Sequence, residues 1–503
     1  MRVLCALFAS LVVLVTAAPS LNAQTLRIAL REDGDILDPT LARTYVGRIV
    51  FAGLCDKLFD INEKLQIVPQ LATSYEWSDD KTLVLHLRPN VLFHDGEKFD
   101  AAAVKYSLER DLTMQGSFRR AELSAIDHIE VVDPLTVRIV LKSPSGPFLS
   151  QLTDRSGMIV APKAAEAAGK DFGLHPVCNG PFKFVERVPQ DRIVLEKFDG
   201  YWNKDAIHFD KVIYQPMTDS QVQIANLHTG SIDIAERVLP TDVAAVKADR
   251  NLRVVTSPAL GYQYIAFNVG NGPNAKQPIG QSALLRQAFE AAIDRSALMQ
   301  VVYNGMFAPT EQAVNSASPF YLKGFEPGGR DIDKAKALVK QSGVPTPIEV
   351  EMMVPNSPDV AQEAEVIQSM VKDAGFDVKI RLIEFASSLQ AATRGDFQAY
   401  LQMWSGRVDP DGNLYGFLHS GAALNDGHYA NPIVDAGLDE ARNSTDEATR
   451  IAAYTKMMTQ ERKDLPMLYL DHPVNIVGMS AKIHGFRAVP DGMIRLQGLS
   501  MAK

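Results

Sequence analysis

The sequence predicts an α/β fold, and three observations carry that expectation. Residues 212–216 read as a strand, 220–229 as a helix capped by Asp219, and 232–235 as the next short strand. Residues 348–354, 361–374 and 378–382 repeat the order. Strand–helix–strand is the pattern of sheets with parallel neighbours. The third observation is length: 503 residues hold two or three domains at about 150 residues each.

The first 23 residues read as an export leader. Arg2 supplies the positive start, residues 3–18 are almost wholly apolar, and Leu21-Asn22-Ala23 offers a small residue before a cut ahead of Gln24. The apolar run is short for a membrane span, which needs ~20 residues, and Cys5 sits at its front, not at the cut where a lipid-anchoring cysteine would stand. No second long apolar run follows, so the exported chain is expected not to be membrane-inserted. The net charge is −9 with no basic block, which argues against nucleic acid as a partner. Cys55 and Cys178 remain after the leader. In an oxidising compartment an even count suggests one disulfide, and two buried thiols are the alternative. The ten histidines form no close pair on one helical face, so no metal site and no cofactor is expected.

Taken in order, residues 24–30 alternate as an opening strand and 31–39 form a polar loop. A helix is expected over 46–58, with Ile49, Val50, Leu54 and Leu58 on its apolar face. Residues 77–81 make a hairpin turn, 82–87 the return strand, and Asp100 caps a helix over 101–110. His94 beside Asp95 lies in a turn with no nucleophile near it and reads as a structural histidine. Strands follow at 126–132, 135–141, 182–188 and 193–198. Residues 262–269 are a strong strand, and the Gly/Asn/Pro-rich 270–278 after it reads as a crossing between domains. One amphipathic helix is expected over 284–302, further helices over 430–441 and 445–464, and a second crossing over 466–477.

Residues 404–413, WSGRVDPDGN, follow an apolar strand at 399–403 and are dense in turn formers. The strand therefore ends by presenting an indole, Trp404, and a guanidinium, Arg407. Arg grips a carboxylate through two parallel hydrogen bonds, and Trp offers a flat apolar wall. Alone, the stretch reads first as a surface turn with a solvated Arg and a structural Trp. In open α/β sheets, however, ligands gather outside the carboxyl ends of strands, which is where this loop lies.

Several ordered stretches carry a resemblance. They are Trp77-Ser78-Asp79-Asp80-Lys81 leading to Leu87-Arg88-Pro89 and Phe93-His94-Asp95-Gly96; Gly180-Pro181-Phe182-Lys183-Phe184; Tyr201-Trp202; Leu227 with Gly230 and Asp233; and Arg286-Gln287-Ala288 with Ile293-Asp294-Arg295. In order and spacing the chain resembles the peptide/opine/nickel family (family 5) of periplasmic solute-binding proteins that serve ABC importers. The resemblance implies a periplasmic binding protein fold with two main lobes joined by a two-strand hinge, plus an inserted third lobe. The expected division is 24–55 with 190–265 and 475–503 for lobe I, 56–189 for the inserted lobe, and 266–474 for lobe II. By resemblance the ligand is enclosed between lobes I and II.

The resemblance also implies a function: capture of a short peptide or small carboxylate-bearing solute in the periplasm and delivery to ABC permease subunits, as a monomer and not as an enzyme. Peptide-binding relatives carry an Asp after the loop Trp that pairs with the peptide ammonium. Arg407 stands there in this chain and repels an ammonium, so it is expected to hold a carboxylate. Trp404 and Tyr264 are the expected ligand contacts beside it, with Asn425 and Tyr429 as further polar candidates. The family's Gly-Thr-Gly-Pro-Phe is Cys178-Asn179-Gly180-Pro181-Phe182 here, and its Tyr-Asp in the first helix is Cys55-Asp56. The family fold brings these segments together, which implies a Cys55–Cys178 bridge. The competing readings are a periplasmic hydrolase, for which no Gly-x-Ser-x-Gly elbow is present, and a member of the same fold that binds a metal complex or haem.

Overall fold

A seven-stranded sheet, a four-stranded sheet and a six-stranded sheet organise the chain. The computed structural model describes residues 24–502 apart from Ala317; the expected leader over 1–23 lies outside the described residues. The first sheet runs Leu252–Pro258, Val474–Ser480, Ile234–Ala235, Thr25–Leu30, Lys211–Pro216, Arg192–Lys197, Phe182–Val188. Its central strand Thr25–Leu30 pairs in parallel with both neighbours, as the strand–helix–strand pattern requires. The four-stranded sheet is wholly antiparallel and built from 72–87 and 126–141. The six-stranded sheet runs Ala308–Pro309, Met467–His472, Tyr262–Phe267, Ala399–Trp404, Ile348–Pro355, Phe376–Ile383. The α/β expectation and the three-lobe expectation both describe this architecture.

Each sheet has its own core. Ile28, Leu54, Leu195 and Met479 belong to the first, Phe93, Leu108, Ile139 and Phe148 to the second, and Ile265, Phe289, Val350 and Leu468 to the third. Fully burying one such side chain is worth roughly 1.5–3 kcal/mol. Polar contacts join lobe II to the other two lobes: Arg31 to Asp359 at 2.8 Å, Arg43 to Asp426 at 3.1 Å, Arg48 to Ser405 Oγ at 3.0 Å and Arg442 to the Ala121 carbonyl at 3.0 Å. The inserted lobe packs on lobe I through Met158, Val160 and Phe172.

Several boundaries shift. Phe182–Val188 pairs with Arg192–Lys197 in the seven-stranded sheet, so the insertion ends before 182 and not at 189. Tyr262–Phe267 belongs to the six-stranded sheet, so lobe I does not run to 265 and the crossing is the short link 259–261, not 270–278. The return crossing is Pro473, between Met467–His472 and Val474–Ser480. The two links run side by side, the Ala259 amide donating to the Pro473 carbonyl at 3.1 Å. The helix expected over 284–302 is two helices, Ala283–Ala291 and Arg295–Tyr303. Asp294 breaks it by accepting from the Ala297 amide at 2.9 Å, an N-cap that a continuous apolar stripe conceals. The first helix is Tyr45–Leu54, shorter than expected.

Cys55 and Cys178 form a disulfide, their Cα atoms 5.0 Å apart across 123 residues of sequence. It ties the end of the first helix to the loop before Gly180. Gly180 must be glycine here, because a Cβ would lie 2.6 Å from the Leu54 backbone. His94 braces the same loop: the Cys178 amide donates to Nδ1 at 3.3 Å, and Nε2 donates to the Gly180 carbonyl at 3.1 Å.

Candidate ligand-binding site

A cavity of about 340 Å³ lies between lobes I and II, and all three lobes contribute to its wall. The crossing links floor it, with Gly261, Gln263 and Tyr264 from one and Pro473 to Asn475 from the other. The Trp404 loop lies directly on the first link. A Cβ at Gly261 would meet the Trp404 carbonyl at 1.8 Å, and Gly406 adopts φ +80° against the Leu260 backbone. These glycines permit an approach that any side chain would block.

One wall is aromatic. The Trp404 ring stands edge-on to Phe417 with centroids 4.9 Å apart, and Tyr264 packs on Phe417 at 6.0 Å. Trp404 Nε1 donates to Asn413 Oδ1 at 3.0 Å, which fixes the indole. The expected loop 404–413 ends sooner than anticipated, since the helix Asp411–Leu418 begins inside it.

A second wall is cationic. Arg119 and Arg155, both from the inserted lobe, face the cavity. Behind them lie Arg48, on the first helix, and Arg407. Asp154 serves three of the four: its carboxylate is 2.5 Å from Arg48 Nη2, 3.1 Å from Arg407 Nε and 3.6 Å from Arg155 Nε. Glu122 pairs with Arg119 at 2.7 Å and accepts from Ser156. Four guanidiniums thus share two carboxylates. Burial raises the Asp154 carboxyl, and Arg407, Arg48 and Arg155 more than reverse this, so it lies well below the usual carboxylate range. Burial and the neighbouring Arg119 push Arg155 well below its ordinary value, against the pull of Asp154. Burial pushes the nearby Asp111 carboxyl up to about 8, against the pull of Thr40, Arg119 and Arg110. Arg119 Nε and Arg155 Nε are buried without a hydrogen-bond partner. Buried cations in excess of their anions are costly unless something anionic joins them.

A third wall is acidic. Glu363, on the helix Pro358–Lys372, is fully buried and faces the cavity. Its Oε2 lies 3.0 Å from the Tyr303 hydroxyl, and its Oε1 is without a partner. Asp471 lies behind it on Met467–His472, with the Gln263 amide between: nitrogen toward Asp471 at 2.7 Å, oxygen toward the Tyr303 hydroxyl at 3.0 Å. Burial pushes both carboxyls up, and each is raised further by a like charge, Glu363 by Asp359 and Asp471 by Glu363.

Of the residues expected from sequence, Trp404 and Tyr264 line the cavity. Arg407 does not, and its placement corrects the expectation of direct ligand contact. Its guanidinium carbon is 4.5 Å from the Trp404 ring centroid, its Nε faces Asp154, and Nη1 donates to the Gly406 carbonyl at 2.8 Å. Asn425 and Tyr429 border a side hollow of about 20 Å³ next to Tyr264. Asn425 closes its own loop, donating to the carbonyls of His419 at 3.0 Å and Tyr429 at 2.7 Å, while the Tyr429 hydroxyl donates to Asp464 at 2.6 Å. Arg119, Arg155 and Glu363 were not anticipated. For Glu363 a signal existed: it interrupts the buried stripe Ala364, Ile367, Val371 of an amphipathic helix. Among the described residues no cluster of three His, Cys, Asp or Glu side chains could hold a metal ion, and no helix is long and apolar enough to cross a membrane.

Two lobes joined by paired links, with a charged cavity between them, define a protein built to close around a solute. Comparison with known proteins names the family. Residues 66–425 match the bacterial extracellular solute-binding proteins, family 5 (middle region), and the chain belongs to that family. It is the periplasmic solute-binding component of an ABC importer, and permease subunits are its partners. The glutathione-binding protein GsiB of Pectobacterium atrosepticum is 28% identical over 503 aligned positions, covering 97% of this chain and 96% of that one. GsiB of Salmonella typhimurium is 29% identical over 492, covering 95% and 94%. Among solved structures, AgaA of A. tumefaciens R10 with agropinic acid superimposes with TM-score 0.86 at 27% identity, covering 95% of this chain and 99% of that one. DppA of Helicobacter pylori with the peptide STSA gives 0.87 at 26%, covering 95% and 98%.

Proposed function

We propose that this protein captures a small carboxylate-bearing solute, of the class of a glutathione-like tripeptide or an opine-like acid, and releases it chemically unchanged to the permease. The observation that carries this reading is the excess of guanidinium over carboxylate at Arg48, Arg119, Arg155 and Arg407, with Arg119 and Arg155 facing the cavity. A ligand carboxylate at those two side chains would match the excess. The direct role expected of Arg407 passes to them, while Arg407 holds Asp154 and backs the Trp404 ring. The cavity volume falls in the range of small-molecule sites, roughly 300–1,000 Å³. The relatives' ligands, glutathione and agropinic acid, are both acids. No histidine or cysteine is among the described lining residues, so the wall lacks the usual nucleophile–base pair of a hydrolase. Native mass spectrometry of gently purified protein tests the reading, together with calorimetric titration of glutathione. A bound acid, released unaltered, supports it; a neutral or purely cationic ligand refutes it.

A further inference from the structure

We infer that the solute carries a protonated amine as well as a carboxylate, and that Glu363 receives the amine. This rests on the carboxylate reading above and adds the opposite pole.

Glu363 differs from the other acids around the cavity: Glu384 caps the helix Phe385–Thr393 by accepting from the Ala386 and Ser387 amides at 3.0 and 2.8 Å, and the rest are paired with arginines. Asp33 is matched by Arg187 at 3.2 Å, Asp359 by Arg31 at 2.8 Å, and Asp426 by Arg43 at 3.1 Å. Glu32 pairs with Arg237 at 2.8 Å. Among the described residues no cation pairs with Glu363 or with Asp471 behind it. Both are fully buried, and Glu363, which lines the cavity, keeps one carboxyl oxygen, Oε1, without a hydrogen-bond partner. The groups around Glu363 are the Tyr303 hydroxyl, the Gln263 amide, Asp471, and Asp359 one turn earlier on its own helix with Arg31 bound to it. None supplies a proton donor to that oxygen.

The Trp404 loop does not offer an alternative. Asp409 is held by two bonds from Arg450, at 2.9 and 2.6 Å, and Asp411 by two from Arg442, both 2.7 Å. A ligand ammonium is therefore the cation that Glu363 lacks. Without it, burial favours the protonated acid, and the Tyr303 and Gln263 chain accommodates a carboxyl proton. With it, the carboxyl ionises against the incoming charge and its proton leaves to solvent.

The test is calorimetric titration with glutathione and N-acetylglutathione, which differ in the amine alone, in phosphate and in Tris at pH 7. Buffers with different heats of ionisation count the protons exchanged. Wild-type protein should bind the acetylated probe at least ~10-fold more weakly, the loss of one charge-assisted bond. Glutathione binding should also release a fraction of a proton up to about one. Glu363→Gln, which keeps the shape, should shrink the difference between probes to within about twofold and abolish the release. Equal binding of both probes by wild-type protein, or an unchanged ratio in Glu363→Gln, would overturn the inference while leaving the carboxylate reading in place. Arg155→Met should weaken both probes alike. If it weakens neither, the carboxylate reading fails and the amine result is judged on the Glu363 comparison alone. If wild-type protein binds neither probe, both readings fall.

Discussion

Two walls of one cavity handle buried charge in opposite ways. Around Asp154, four guanidiniums crowd two carboxylates and the excess stays charged, because a guanidinium releases its proton only with great difficulty. Around Glu363, two carboxyls lie together without a cation, and burial pushes both toward the neutral acid. The same burial leaves an excess of guanidinium on one side and, on the other, two carboxyls pushed toward the neutral acid. The chemistry of the side chain, not the depth of burial, decides which outcome prevails. A solute with both an acid and an amine meets a wall already charged for the first and a wall that ionises in response to the second.

The largest effect should come from Asp154→Asn. It removes the anion shared by Arg48, Arg155 and Arg407, and breaking a buried ion pair from one side costs about 3–5 kcal/mol. Denaturant unfolding should show that loss in the ligand-free protein; an unchanged midpoint would mean the cluster is more hydrated than its burial implies.

Arg155→Met tests the same wall with the opposite sign. Ligand affinity should fall on the order of a hundredfold, within the ~2–5 kcal/mol of a desolvated charge pair. The ligand-free melting temperature should hold or rise, because one member of an overcharged cluster has gone. A fall in both would show that Arg155 is structural.

The acidic wall should appear in the pH dependence of stability. Glu363 is raised from its ordinary 4.5 to about 8, so the folded protein binds the proton more tightly than the unfolded chain. Its contribution is full below 4.5 and is lost as pH rises toward about 8. Glu461, raised by burial to about 8, shares the trend. The melting temperature should therefore decline across that window, and Glu363→Gln should flatten the decline without removing it. A profile identical to wild type would place the titration elsewhere.

The smallest effect should belong to Arg407→Ala. Facing Asp154 and not the cavity, it should weaken binding by about tenfold or less; a hundredfold loss would return it to direct contact with ligand.

What could be read from the sequence follows from this geometry. Trp404 and Tyr264 were found because strands ending at a cleft expose their last side chains, and period-two alternation locates strands. Arg407 was found but turned the wrong way: a long guanidinium reaches either side of its loop, and the acid that chose the side, Asp154, lies some 250 residues earlier in the chain. Arg119 and Arg155 had no local signal, since their significance is a charge imbalance summed over four separate segments, around 48, 119–122, 154–155 and 407. The single helix expected over 284–302 failed for a local reason, the Asp294 cap inside a continuous apolar stripe. The boundary errors at 189 and 265 arose because a hairpin or strand reads alike in either sheet.

The sequence by itself determined the alternation of strands and helices, the turns and caps at Asp100 and Asp219, and the ordered motifs that mark the family. These depend on residues a few positions apart, where period, turn chemistry and capping act. Only the tertiary structure decided which charges are left unmatched at Arg119, Arg155 and Glu363. Charge balance at a buried site sums over groups distant in sequence, and in a low dielectric that sum turns on separations of a few ångströms.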